Sequence, residues 1–327
     1  MDILITGGAG FLGARLAQQL LARGTVSNAS GQQQPIDHII LFDRVAAVGF
    51  TDPRIVIKIG DVTDEATIQA LVTPSVQSIF HLAAVVSGEA ESDFDLGMRI
   101  NLDATRYLLE AARKAGHCPR FVFSSSVAVF GGALPQQVLD TNAVTPQGSY
   151  GIQKAIGEML VTDYSRKGFI DGRAVRVPTV SVRPGLPNKA ASGFASGIIR
   201  EPLQGIPAVC PVAPATRMWL CSPRTALFNL MHAHEIDGTR LGASRAINLP
   251  GLATSVAEMV AALARVAGDE VVQRIQWQED PAVSRLIKSW PGDFLTARAD
   301  ALGFRHDESF DDIIRAHITD ELTAPAV

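Results

Sequence analysis

The segment Thr6-Gly7-Gly8-Ala9-Gly10-Phe11-Leu12-Gly13 constrains the fold of this chain more than any other. It follows a short apolar run, Ile3–Thr6. It leads into Phe11–Arg23, whose apolar residues recur at helical spacing and which stops at Gly24. Gly7, Gly10 and Gly13 answer three separate demands at such a junction. The strand has to turn tightly, an anion has to approach backbone N–H donors with no Cβ in the way, and the new helix has to pack closely on the strand. The helix N-terminus adds unpaired donors and a positive partial charge. A strand, a glycine turn and a helix in that order predict a cradle for a pyrophosphate.

The next segments extend the pattern. His38–Phe42, Arg54–Ile59, Ser78–Ala83 and Arg120–Ser124 read as short buried strands, with a helix over Met98–Lys114. Strands alternating with helical runs predict an α/β chain: a Rossmann-type doubly wound parallel sheet with a smaller C-terminal substrate lobe. The division is placed near residue 178, giving a cofactor-binding part at 1–178 and a substrate lobe at 179–327 from which segments return to the first part. Thr25–Pro35 reads as a polar surface insertion. Val182–Pro223 is proline-rich with few clean periods and reads as loops plus a small lobe. Helices are expected at Val256–Ala267 and Ser309–Leu322, and Trp219 and Trp290 are expected in the core.

Composition removes several classes of function. A net charge of −4 over 327 residues leaves no electrostatic footprint for nucleic acid or an anionic membrane. An anionic ligand then has to be met by local arginines or helix ends. The three cysteines, Cys118, Cys210 and Cys221, form no CxxC pair, and no His/Cys cluster has metal-ligand spacing, so free thiols and no metal are expected. The chain opens on a strand, with neither a charged leader nor an apolar run of membrane-spanning length, and a cytoplasmic location is expected.

Asp43 ends the second strand. A carboxylate there accepts from both adenosine ribose hydroxyls and repels a 2′-phosphate, so NAD is favoured over NADP, although Arg44 beside it could tolerate a phosphate. Asp61, followed by Val62, ends the third strand, where a carboxylate can accept from the adenine amino group or cap the next helix. After His81, read as a packed core histidine, the small residues of Leu82-Ala83-Ala84 let a cofactor lie against the backbone.

Tyr150 and Lys154 stand one helical turn apart on one face. A phenol is a poor base at neutral pH, and a neighbouring ammonium is expected to lower its pKa while also donating to the nicotinamide ribose. Ser124-Ser125-Ser126 tips a buried strand at its carboxyl end, where open α/β sheets hold their ligands. Ser126 can donate to a reacting carbinol or carbonyl oxygen while Tyr150 moves the proton, and Ser124 can hold the strand end and the cofactor. Asn101 reads equally as a cofactor-loop residue or a structural one.

Together these residues resemble the extended short-chain dehydrogenase/reductase family, which includes nucleotide-sugar epimerases and dehydratases. The resemblance implies that Ser126, Tyr150 and Lys154 are catalytic and that NAD is the cofactor. Phe130 departs from the V-Y-G usual there. Val127-Ala128 stand where dehydratases carry an Asp-Glu pair, which argues against elimination, and Leu220-Cys221-Ser222-Pro223-Arg224 replaces an acidic epimerase segment. Val85–Glu91, Val182–Asn188, Ala190–Pro202 and Ser222–Arg224 are similar to a narrower group, the enzymes that oxidise four-carbon sugar acids such as D-erythronate. That similarity implies oxidation of a C2 hydroxyl to a 2-oxo acid.

Such an acid needs a forked cation, for which Arg183, Arg217 and Arg224 are candidates, and hydroxyl readers, for which Ser87, Asn188 and Ser192 are candidates. Pyrophosphates recruit arginines as well, so an NAD-dependent nucleotide-sugar epimerase stays open as the alternative. A non-catalytic NAD-sensing protein is a further one. Relatives are often dimers, so a homodimer is a possible partner state.

Overall fold

The computed structural model describes residues 1–185 and 189–323. Its centre is a sheet of seven strands: β1 (Asp2–Thr6), β2 (His38–Asp43), β3 (Ile55–Ile59), β4 (Val76–His81), β5 (Arg120–Ser126), β6 (Asp171–Val177) and β7 (Ala246–Asn248). They lie in the order β7-β6-β5-β4-β1-β2-β3, and every pairing is parallel. The register pairs Thr6 with Phe42 on one side and with His81 on the other, so the carboxyl ends of β1, β2 and β4 open on one edge.

A parallel sheet needs cover on both faces. Helices α1 (Phe11–Arg23) and α6 (Pro223–Glu235) cover one face, where Ile3, Ile5, Leu16, Leu20, Leu227 and Leu230 share a core. The opposite face packs under α2 (Glu65–Leu71), α3 (Ala104–Ala115) and α4 (Ser149–Arg166), around Leu4, Ile79, Leu108, Phe121, Phe123 and Val161. Each such side chain, fully buried, contributes about 1.5–3 kcal/mol. Gly24 closes α1 in the left-handed region at φ 73°, as a C-terminal glycine should. The helix expected over Met98–Lys114 begins with wider turns at Met98–Asp103, whose one buried residue is Asn101, before α3 proper.

Two stretches differ from the sequence reading. Val182–Pro223 holds more regular structure than its irregular pattern suggests. It contains α5 (Phe194–Leu203) and the strands Ala208–Cys210 and Arg217–Cys221. Gly197 and Pro202 hide the helical period, yet Phe194, Ala195, Ile198 and Ile199 form one buried face. That face packs against α7 (Val256–Ala267) and α9 (Phe310–His317) in a second core with Met218, Met259, Leu263 and Ile314. Trp219 is buried with Phe130 and Phe294, and Trp290 packs on the second core.

Thr25–Pro35 is a hairpin, Thr25–Ser27 against Gln33–Pro35, tied to the last turn of α6. The Glu235 carboxylate accepts from Ser27 N (3.2 Å) and Oγ (2.8 Å), from Gln33 Nε2 (2.8 Å) and from Arg23 Nη2 (2.8 Å). Burial by itself would raise this carboxyl, but His234, Ser27 and Gln33 together hold it well below the usual carboxylate range. A depressed carboxylate adds stability above its unfolded pKa and loses it as pH falls through the folded value. Glu235→Gln is therefore expected to lower the melting temperature by a few degrees at pH 7, corresponding to about 1–2 kcal/mol. The gap to the parent should narrow below pH 4.5, and limited proteolysis should cut within residues 28–32 first. Equal melting curves across the pH range would refute the tie.

Candidate active site

The strand order reverses between β1 and β4, and a crevice opens there, as it does in open α/β sheets. A cleft of about 590 Å3 occupies it. Gly7, Gly10, Phe11, Leu12, Gly13, Asp43, Asp61, Val62, Leu82, Ala83, Ala84 and Ser124 line its walls. Residues more than seventy positions apart in sequence thus meet around one space.

The turn after β1 fits a pyrophosphate on geometric grounds. Gly7 has φ +73°, and a Cβ on it would lie 2.9 Å from Ala83 N. A Cβ on Gly13 would lie 2.2 Å from the Gly7 carbonyl oxygen, a distance no side chain can accept. Gly10 begins α1 with no side chain capping the helix, so its first N–H groups face the cleft for an anion. At the far end, Asp43 Oδ2 accepts from Ala9 N (3.1 Å) and Oδ1 from Arg44 N (2.7 Å), which holds the carboxylate beside the turn. Asp61 accepts from Thr63 N and Oγ1, both at 2.8 Å, while Asp64 is the residue that caps α2. The donor and acceptor set therefore fits a dinucleotide with a free ribose 2′-hydroxyl.

Asn101 does not line the cleft. Its Oδ1 accepts from Val85 N (2.9 Å), and its Nδ2 donates to Val85 O (3.2 Å) and Gln153 Oε1 (2.8 Å). These contacts clamp the loop after β4 to α4.

The chemical centre forms where α4 meets the end of β5. Gly151 makes the approach possible, because a Cβ there would lie 2.1 Å from the Ala128 carbonyl oxygen. Ser126 lies close enough to the Tyr150 phenol to act on its ionisation, and its Oγ accepts from Ala128 N (3.1 Å). Lys154 is 2% exposed; its Nζ donates to Ser124 O at 2.8 Å and stands 4.7 Å from the Phe123 ring centre and 5.8 Å from that of Tyr150. Serine, phenol and amine are brought together as the sequence suggests.

The electrostatics correct one expectation. Burial pushes the Tyr150 phenol up to about 12, and the influences that pull it down are the Ser126 hydrogen bond and the Arg183 guanidinium, not Lys154. Lys154 is itself lowered to about 7 by burial, against an opposing pull from Glu158. The phenol is tuned from the substrate side, and the amine is a costly cation in a dry place.

The expected substrate residues divide. Arg183 lines the cleft; its backbone N donates to Ser196 Oγ (3.0 Å), and its carbonyl accepts from Arg200 Nη1 (2.7 Å). Arg217 and Arg224 do not face the cleft. Arg217 is exposed and meets Asp293 at 3.3 Å, and Arg224 holds Asp320 through Nε (2.8 Å) and Nη2 (2.5 Å), so both are already neutralised at the surface. Ser87 is buried and accepts from Ala191 N (3.2 Å), which makes it a brace between segments. Ser192 sits in the short turn Ala191–Gly193 on the rim of α5. Asn188 lies outside the described residues.

Sequence reading missed Gln153, Glu158, Arg176 and Arg99. Arg99 lines the cleft, whereas the other three are buried beneath it. Glu158 was findable, because it continues the Tyr150/Lys154 row by one more turn. Arg176 gives no such sign, since only the sheet brings it there. A larger cavity of about 1300 Å3 lies between α5 and α8 (Pro281–Lys288), bordered by Phe194, Arg200 and Leu286; Ser126, Tyr150 and Lys154 line neither cavity, while Ser124 and Arg183 beside them line the smaller one. Among the described residues no cluster of His, Cys, Asp or Glu is placed to hold a metal, and no helix is long and apolar enough to cross a membrane.

Comparison with known proteins agrees with this geometry. The chain is 55% identical to a D-erythronate dehydrogenase of Cupriavidus necator over 98% of both chains. It is 45% identical to a D-erythronate dehydrogenase of Haemophilus influenzae over 97% of this chain and 99% of that one. A solved structure described as a nucleoside-diphosphate-sugar epimerase from Agrobacterium tumefaciens superposes with TM-score 0.92 at 43% identity, covering 99% of this chain and 95% of that one. L-threonine 3-dehydrogenase from Trypanosoma brucei shares the fold, with TM-score 0.85 at 24% identity over 97% and 95%. The family model that matches residues 3–219 is that of the NAD dependent epimerase/dehydratase family, and the chain is a member of it.

Proposed function

We propose that this protein oxidises the C2 hydroxyl of a four-carbon sugar acid, D-erythronate, to the 2-oxo acid with NAD as acceptor. The observation that carries the reading is the full-length 55% identity to a D-erythronate dehydrogenase, in a chain whose Ser126, Tyr150 and Lys154 gather beside Ser124, a residue of the cleft wall. Oxidised nicotinamide supplies the hydride acceptor and a positive charge. Tyr150, as its phenolate, takes the proton from the C2 hydroxyl, Ser126 bonds the same oxygen, and Arg183 pairs with the carboxylate. As C2 gives up its hydride, the C–O bond becomes a carbonyl, and the proton rests on the phenol. Lys154 holds the end of β5 through Ser124 O and would donate to the nicotinamide ribose. The substrate lobe in this reading is 179–327.

A second reading is an epimerase acting on nucleotide sugars. It draws on the description of the Agrobacterium structure and on a 1300 Å3 cavity far larger than a four-carbon acid requires. An epimerase returns its hydride, so NADH growing steadily with D-erythronate and absent with nucleotide sugars separates the two. For assembly, Ile152, Ile156 and Met159 form an exposed apolar row on α4, at 46%, 37% and 63% exposure, and we place a homodimer contact there.

Four outcomes test this reading. Tyr150→Phe should lower kcat at least a thousandfold while NAD binding stays within about threefold; near-parental turnover would end its role. Arg183→Ala should raise KM for the acid roughly 30-fold or more, with NAD affinity little changed. An equal loss of NAD affinity would place Arg183 on the cofactor instead. Lys154→Met should lose turnover yet melt a few degrees higher than the parent. A lysine whose folded pKa is depressed to about 7 costs most at and below that pH and nothing above its unfolded value, so the gain should be larger at pH 7 than at pH 10. Met159→Glu should yield a monomer by light scattering, and an unchanged mass would remove the proposed contact.

A further inference from the structure

One turn beyond Lys154, α4 carries a buried carboxylate, Glu158. Its Oε1 and Oε2 accept from Arg176 Nε (2.9 Å) and Nη2 (2.7 Å), a forked pair inside the protein, and Oε1 also accepts from Ser125 Oγ (2.5 Å). Arg176 on β6 is held in turn by Asn248 Oδ1 (3.0 Å), lies 4.8 Å from the Phe130 ring centre, and Asn248 donates to Asp140 (3.2 Å).

The contacts form a ladder. Ser126 meets Tyr150, the Ser124 carbonyl meets Lys154, and Ser125 meets Glu158. Three consecutive residues at the end of β5 are thus engaged by positions i, i+4 and i+8 of a single helix. Two of the three rungs belong to the chemistry assigned above, and the third is assigned to nothing. Burying an ion pair is seldom a net gain in stability, so a forked pair placed one turn from a buried amine calls for another reason.

We propose that Glu158 is a positioning residue of the catalytic pair: clamped by Arg176 and Ser125, it fixes the serine-tipped strand end against α4 and keeps Lys154 charged in a dry pocket. The proposal rests on the dehydrogenase reading for its chemical meaning, though not for its geometry.

The charges around Lys154 support it. On β4, His81 is fully buried between Thr6 (2.7 Å) and Thr105 (3.0 Å) and is lowered to about 3, so it brings no positive charge at neutral pH. On β6, Arg176 is spent on Glu158. On α4 itself the neighbours are Tyr150 and Glu158, and Gln153 and Asn101 on the adjoining side are neutral. Glu91 meets only the N-terminus of α4 at Ser149 N (2.9 Å), and Glu110 on α3 is held by Arg113 and Tyr164. Burial drives the Lys154 amine down, and Glu158 is the group that opposes it.

The test uses the full chain with Glu158→Gln, which keeps the shape and removes the charge. The first readout is an NMR titration of 13Cε-labelled lysine, with the Lys154 signal assigned by its loss in Lys154→Arg. The Lys154 midpoint should fall by about one pH unit, a tenfold change in proton affinity. The alkaline limb of kcat/KM should move down in pH with it, and Glu158→Asp should return most of both shifts. A purely structural role would lower kcat without moving either midpoint, and that result overturns the proposal. If the single variant does not fold because Arg176 is left unpaired, Glu158→Gln with Arg176→Met removes both charges. There too the Lys154 midpoint should fall, by less, and a midpoint equal to the parent's overturns the proposal. A parent that reduces NAD with no sugar acid, while the Lys154 titration moves as stated, ends the substrate reading and leaves the role of Glu158 standing.

Discussion

The structure depends on places where two backbones come closer than any side chain permits. Gly13 stacks its Cα on the Gly7 carbonyl, Gly7 sits against Ala83, and Gly151 rides on the Ala128 carbonyl. The first two contacts set the turn after β1 against the loop after β4 and so give the cleft its width. The third sets α4 against the end of β5 and so sets the distance between Tyr150 and Ser126. A methyl group at any of these points would have to displace main chain that is itself packed between the sheet ends and the helices. Cofactor cradle and acid–base centre are therefore held by one kind of contact at opposite ends of the same edge.

Close packing has an electrostatic cost. Where backbones touch, water is excluded, and both partners of the catalytic pair are driven toward their neutral forms: the phenol up to about 12, the amine down to about 7. A dehydrogenase needs the opposite pairing, a phenol ready to accept a proton beside an ammonium. The side chains that work against burial are consequently the informative ones. Ser126 and Arg183 act on the phenol, and Glu158 acts on the amine. None of them could be valued correctly before the degree of burial was known.

That explains what the sequence made legible and what it did not. Local chemistry could be read: a glycine turn between a strand and a helix, an acid at a strand end, serines at a strand tip, and the Tyr150/Lys154 spacing are each fixed by a few consecutive residues. Helix α7 was legible for the same reason, since Ser255 and Glu258 cap it reciprocally and its apolar period is clean. Helix α5 was not, because Gly197 and Pro202 interrupt a pattern whose burial is decided by α7 and α9. Among the arginines, sequence offers no way to tell Arg183 from Arg217 and Arg224. What separates them is whether a carboxylate, Asp293 or Asp320, has already met them in the fold. The lowered tyrosine pKa expected from the spacing was not found for a related reason: a spacing argument supplies proximity, while the net shift is decided by desolvation.

The charges along the cleft carry the argument one step further. Asp43 stands at its ribose end and Arg183 at its chemical end, so a dinucleotide with an unphosphorylated ribose and a small anion beside the phenol both find complementary partners. Yet in the proposed reaction the anion draws on the same guanidinium that lowers the Tyr150 phenol. Once a substrate carboxylate pairs with Arg183, that influence on Tyr150 weakens at the moment the phenol has to accept a proton. The compensation has to come from a cation that the substrate does not touch. Lys154 is that cation, one turn along α4 and shielded from the cleft by the Ser124 carbonyl contact. It can serve only while protonated, which burial opposes and the Glu158–Arg176 clamp favours. A site that bound its anionic substrate through the residue that tunes its base would require a second, independently held positive charge, and the ladder between β5 and α4 is where the proposed reaction places it.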